Sequence, residues 1–166
     1  MDSVTVLRLA HDQAVQYPSV VIEHPFGPEY AVFKVRGRMF MMQYELRGVP
    51  SMNLKIDPLD GEVLRDAYAE ITPGYHMNKR HWITVCGADG IDGADGIDSD
   101  GGDRGVGTGD GADGGVGTDP GTTSARAALD EDLLHDLVLE SYCLVVAKMP
   151  RRDRPVDPAS FGGREA

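Results

Sequence analysis

The sequence predicts a two-layer α+β domain with an antiparallel sheet. Three observations lead there: four short β-prone segments follow one another between positions 20 and 56, helical periodicity frames the chain at both ends, and a helix-start signature, Asp57–Pro58, interrupts the strands. Asp2 or Ser3 can cap a first helix reaching about Gln16, with Val4, Leu7, Ala14 and Val15 inward and Pro18 as its stop. Val20 to Glu23, Tyr30 to Arg36, Met39 to Leu46 and Met52 to Ile56 read as strands, separated by Pro25 to Pro28, Gly37, and Gly48 to Ser51. The middle two meet at Arg36, Gly37 and Arg38, a tight hairpin tip with a basic rim. Asp57 as cap, Pro58 at the first helical position and Asp60 in the first turn open a second helix, with Leu59, Val63, Ala67 and Ile71 on one face and an end before Pro73. A strand over Trp82 to Val85 follows. Leu129, Leu133, Leu137, Tyr142, Val145 and Met149 then fall near helical spacing in a long last helix.

At 166 residues and 41% hydrophobic content the chain can bury one core but hardly two. One domain, residues 1–86 plus 122–150, is therefore expected, followed by a flexible Arg- and Pro-rich tail over 151–166. No stretch approaches the ~18 apolar residues that span a bilayer, and Asp2 follows Met1 where a signal would be basic and apolar, so a cytoplasmic location without membrane contact is expected. Cys86 and Cys143 lie in apolar segments without CxxC spacing and read as reduced side chains of the core.

The net charge of −11 is unevenly distributed. Between Gly87 and Gly121 nine Asp stand against one Arg, a net −8, which leaves −3 for everything else. That segment holds 14 Gly among 35 residues, opens with a repeated GADGID hexapeptide and has no aromatic residue, so it cannot bury enough apolar area to offset its backbone entropy and reads as a disordered insert. Its aspartates match neither the DxDxDGx5E calcium loop nor GGxGxDxUx nonapeptides, and glycine at every third position stops after four triplets, which excludes collagen.

Chemistry concentrates in PGYHMNKRHWITV, Pro73 to Val85, where a turn and a strand entrance present His76, Lys79, Arg80, His81 and Trp82 together. Cationic and aromatic groups so mixed suit phosphates and ring faces better than a core. Together with FGPEYAVFKVRGRMF (Phe26 to Phe40), MNLKIDP (Met52 to Pro58) and SYCLVVAKMP (Ser141 to Pro150), this segment resembles the MmcQ/YjbR family of small bacterial proteins, over about 1–86 and 129–150. The resemblance implies a double-wing α+β arrangement and DNA binding. It also implies a short link between the last strand and the last helix, from which the Gly/Asp insert departs.

The residues can be weighed independently of that likeness. Alternation sends Phe33 and Val35 to one side of their strand and Lys34 and Arg36 to the other, and from Lys34 to Lys55 five basic residues, Arg38 and Arg47 among them, oppose Glu45 alone. With Lys79, Arg80 and the Lys148, Arg151, Arg152, Arg154 group, the face is either a solvated polar surface or one that meets phosphates. Trp82 is either a core anchor or a stacking platform. His76 and His81, five apart on a strand, point to opposite faces, which argues against a shared zinc. No GxSxG elbow, nucleotide-binding glycine loop or paired-carboxylate signature is present, and no cofactor is implied. The expected function is non-catalytic DNA binding in a regulatory role, through Lys34, Arg36, Arg38, Lys55, His76, Lys79, Arg80, His81 and Trp82. The alternatives are a chaperone-like protein-interaction module, because the resembling fold is similar to that of bacterial secretion chaperones, and a small-ligand pocket near His76, Lys79 and Trp82.

Overall fold

The computed structural model describes residues 1–93 and 126–163. Helix α1, Ser3–Ala14, starts where the Asp2 side chain accepts from the Thr5 N–H. Strands β1 (Val20–Glu23), β2 (Ala31–Val35), β3 (Arg38–Leu46) and β4 (Val49–Lys55) follow, then helix α2 (Pro58–Ala67), strands β5 (Ile71–Pro73) and β6 (Trp82–Val85), and helix α3 (Glu131–Ala147). The six strands form one antiparallel sheet in the order β1-β2-β3-β4-β6-β5.

Hairpin chemistry sets the first three connections. The β2–β3 and β3–β4 turns both consist of Arg-Gly, Arg36–Gly37 and Arg47–Gly48, and all four residues have positive φ, the geometry of a type I′ turn whose twist matches the flanking strands. The second turn is therefore shorter than expected, and β4 begins at Val49 rather than Met52.

One side of the sheet carries Phe33, Val35, Met41, Met52, Leu54, Ile83 and Val85 into a core shared with α1 and α3. The other carries Val32, Met42 and Tyr44 beneath Tyr30, Tyr75 and Met77. A bulge in β3 makes the two sides differ: Met41 pairs with Phe33 and Met39 with Lys34, so Phe40 is an extra residue with no partner on β2. Phe40 and Met41, though adjacent, are both fully buried in the same core. The bulge is sealed from α3, where the Ser141 hydroxyl donates to the Phe40 carbonyl and accepts from the Lys55 N–H at 2.7 Å.

Several expectations are corrected. The buried stripe of α1 is Ser3, Val6, Ala10 and Ala14, while Val4 and Val15 are exposed, because Ser3 is turned inward by hydrogen bonds to Asp89 and Gly87. Helix α2 meets the core through Gly61, where a Cβ would sit 3.0 Å from the Ile56 side chain. Leu59 and Val63 consequently face outward, and Ile71, expected on the helix, belongs to β5. Residues 88–93, at the start of the expected disordered insert, form a 3-10 turn, with Asp89 accepting from both the N–H and the hydroxyl of Ser3 at 2.7 and 2.6 Å. A Cβ on Gly87 would lie 2.2 Å from the Ser3 nitrogen, so only glycine permits this approach. The rest of that insert, from residue 94 on, lies outside the described residues.

The expectation of a flexible tail also fails for residues 151–163. Phe161 packs against the Tyr17 and Tyr142 rings, both at 5.6 Å between centroids. Arg154 donates to the carbonyls of Ala147 and Met149 at 2.7 and 2.9 Å. Composition suggested a loose end, but a single aromatic side chain and one guanidinium fix it.

Replacing Ser141 by Ala leaves the Phe40 carbonyl and the Lys55 N–H without their partner. At about 1–3 kcal/mol for each buried group, the expected loss is roughly 2–6 kcal/mol in a urea unfolding titration, far above that of an ordinary surface substitution. A loss within about 0.5 kcal/mol would mean that the sheet closes the bulge without α3.

Candidate nucleic-acid interface

Strand register brings Arg36, Arg38, Lys55 and the Lys79–Arg80 pair to one end of the sheet, while Arg47, in the β3–β4 turn, stands at the other. Val35 pairs with Arg38, Lys34 with Met39, and Lys55 with Trp82, so the β2–β3 turn, the end of β4 and the start of β6 lie together. The C-terminus of α3 closes on the same end: Arg36, Arg38, Met149, Pro150, Arg152 and Asp153 line one cleft, and the charge of Lys148 is felt at Lys55. The segment Gly74 to His81 completes it, with Ile56 N–H bonded to the His81 carbonyl at 2.9 Å.

The individual side chains differ in availability. Arg36, Arg38, His76, Lys79 and Arg80 are exposed, and Lys34, Lys55, His81 and Trp82 are half-buried. Lys34 is held by the Glu23 carboxylate. Lys55 lies 5.1 Å from the centroid of the Trp82 ring, on the sheet side away from the helices. That contact answers the question left open for Trp82: the indole is neither a fully buried anchor nor a bare platform, because one strand-neighbour cation already occupies it. Burial, reinforced by Lys148, lowers the pKa of Lys55. His76 adopts φ 54° and sits with its ring 4.0 Å from that of Tyr75.

A polar hub holds the Gly74 to His81 segment against the sheet. The Asn53 side-chain oxygen accepts from Tyr44 Oη at 2.8 Å and Thr84 Oγ1 at 2.7 Å, while its amide donates to the Tyr75 carbonyl at 3.0 Å. Thr84 Oγ1 in turn accepts from the Tyr75 N–H at 2.8 Å. Both Asn53 and Thr84 are buried, and burial pushes the Tyr44 phenol up to about 12. Tyr30, Tyr44 and Tyr75 run side by side above this hub, with near-parallel rings 6.1 to 6.2 Å apart. Asn53 and Thr84 carry no catalytic motif and give no sequence signal. Their adjacency follows from the β4–β6 register alone.

The opposite end of the molecule gathers acidic side chains beside the exposed Arg47 and Arg126. Asp130, Glu131 and Asp132 stand at the N-terminus of α3, where carboxylates also favour the helix dipole, and Asp89 lies beside Ser3 at the start of α1. Along α3 itself, Asp130, Glu131 and Asp132 stand at one terminus and Lys148, Arg151 and Arg152 follow the other.

Comparison with known proteins accords with this architecture. The YjbR family model matches residues 15–100. The chain is 46% identical over 154 residues to the Escherichia coli O157:H7 protein YbdF, covering 93% of this chain and 95% of that one. The chain belongs to the YjbR family. Over a shorter stretch of 52 residues it is 38% identical to YjbR of Escherichia coli K12, covering 31% of this chain and 44% of the relative. The crystal structure of Deinococcus radiodurans DR2400, a DUF419 domain, superposes with a TM-score of 0.63 at 27% identity, covering all of this chain and 97% of that one. Among the described residues of this YjbR-family chain, no helix is long and apolar enough to cross a membrane.

Cys86 and Cys143 are free and buried, and burial raises both thiols to about 11, with the charges of Glu70 and Asp89 adding to the effect at Cys86. At pH 7 to 8 neither should react with a soluble thiol reagent on the timescale of the native state, and both should react once the protein is unfolded in guanidinium. Rapid native labelling of either would contradict the described burial.

Exchanging Asn53 for Ala orphans the Thr84 and Tyr44 hydroxyls and the Tyr75 carbonyl. The expected result is a stability loss of about 2–4 kcal/mol by urea unfolding, together with faster hydrogen exchange over residues 74–81. Unchanged exchange in that segment would show that Asn53 does not hold it.

Proposed function

We propose that this YjbR-family protein binds DNA without acting on it chemically, contacting the phosphate backbone with its basic end, in a regulatory role. The observation that supports the reading is the gathering of exposed cations at one end of the molecule. Arg36, Arg38, Lys79 and Arg80 are exposed at one end of the sheet, joined there by Lys148, Arg151 and Arg152, while the acidic side chains flanking α3 lie at the other. Such an asymmetric field orients a polyanion even when net charge is negative, because the local potential within a Debye length of about 8–10 Å outweighs charge at the far end.

Phosphate-mediated binding has a quantitative signature. If Arg36, Arg38, Lys79 and Arg80 each neutralise one phosphate, log K should fall with log salt at a slope of about −3 to −4 on duplex DNA. The double substitution of Lys79 and Arg80 by Ala should reduce that slope by about 2 without unfolding the protein, since both side chains are exposed. No binding by the unaltered protein at low salt sinks the reading.

A protein partner is the second reading, favoured by one observation. Leu59 and Val63 are 73% and 67% exposed on α2, beside a cleft of about 470 Å³ that α2 and α3 line with Asp60, Asp136 and Glu140. In that case the low-salt DNA titration is flat.

A further inference from the structure

We propose that the cleft between the β2–β3 turn and the segment after α3 is a binding site for a phosphate monoester, a doubly charged group. It is lined by Arg36, Arg38, Met149, Pro150, Arg152 and Asp153 and has a volume of about 270 Å³. The inference deepens the DNA reading, in that it concerns which phosphate the basic end prefers.

Charge is the first argument. Three arginines and one carboxylate line the cleft, the Asp153 oxygen lying 3.8 Å from Arg152 Nε, so its lining carries a formal net +2. A phosphodiester or a carboxylate brings one negative charge, whereas a phosphate monoester brings close to two at pH 7, with a second pKa of about 6. Arginines also present forked donors that match phosphate oxygens in pairs.

Preorganisation is the second argument. Arg36 is held at φ 49° in the type I′ turn, and Arg38 enters β3 opposite Val35. The other wall is fixed twice, by Arg154 bonding the carbonyls of Ala147 and Met149 and by Phe161 against Tyr17 and Tyr142. Arg154 also offsets the carbonyl end of α3, which would otherwise repel an anion at this place. Lys79 and Arg80, on their exposed turn, lie outside the lining of this cleft.

The monoester can come from the end of a nucleic-acid strand or from a free phosphorylated small molecule, and the test separates them. Methyl phosphate, dimethyl phosphate, and one oligonucleotide with either a 5′-phosphate or a 5′-hydroxyl are titrated into the full chain at low ionic strength. Methyl phosphate should bind roughly tenfold or more tightly than dimethyl phosphate, the preference fading below pH 6 as the monoester loses its second charge. Arg152→Gln, at a largely exposed side chain, and Arg36→Asn, which tolerates positive φ, should each abolish that preference. A 5′-phosphate preference lost in the same variants assigns the source to strand ends, and equal binding of the two oligonucleotides assigns it to a free phosphorylated molecule. Equal affinity for methyl and dimethyl phosphate overturns the proposal, even where the oligonucleotides bind with a steep salt slope and the DNA reading stands. Conversely, a methyl phosphate preference without oligonucleotide binding retains the cleft and removes the DNA reading.

Discussion

The contact on which the architecture depends is a single buried hydroxyl. A bulge in a central strand leaves a carbonyl on one strand and an N–H on the next without ladder partners, and Ser141, projecting from α3, satisfies both. The bulge also resets the alternation of β3. Upstream of Phe40 the parity is reversed, so Arg38 shares the helix-covered side with Val35, and Met39 shares the other side with Lys34. Were β3 to alternate regularly through Phe40, Arg38 would project away from α3, and the arginine-lined cleft would have no second wall. The sheet's irregularity and the cleft are therefore one feature, sealed by one side chain.

Helix α3 connects the two electrostatic ends. Its N-terminus carries Asp130, Glu131 and Asp132, and its C-terminal turn is covered by Arg154 and followed by Arg151 and Arg152. Both placements complement the helix dipole, so the charges that give the molecule its polarity also favour the helix that bears them. The basic end is thus compatible with stability in a way that a random patch of like charges would not be.

Much of this was legible in the sequence, for identifiable reasons. β1 and β6 carry strong β-branched and aromatic runs with turn residues outside, and their limits follow from local pattern. Asp57 with Pro58 announces α2 because capping is a local interaction. The faces of α1 and α2 were not legible: periodicity favours Val4, Leu59 and Val63, whereas Ser3 and Gly61 are buried through contacts with residues far along the chain. Among the site residues, the basic groups near the Arg-Gly turn and in the Gly74 to His81 segment could be nominated from composition. Asn53, Thr84 and Ser141 could not, since ordinary polar residues become significant only when register sets them beside one another. The tail was misread for the complementary reason: Arg and Pro dominate its composition, while its placement rests on Phe161 and Arg154.

Glu70 carries an implication of another kind. Its buried carboxylate accepts from the Leu129 N–H at 3.2 Å and its carbonyl from the Cys86 N–H at 3.1 Å, while Ala127 bonds Ala67, so the chain is clasped on both sides of residues 94–125 by one short stretch before β5. That clasp sits at the end of the sheet remote from the β2–β3 turn. The domain is closed independently of what joins residue 93 to residue 126, which makes this junction a natural splice point. Segments of different length, a fluorescent reporter among them, can be carried there as passengers while the β2–β3 turn at the other end is left clear.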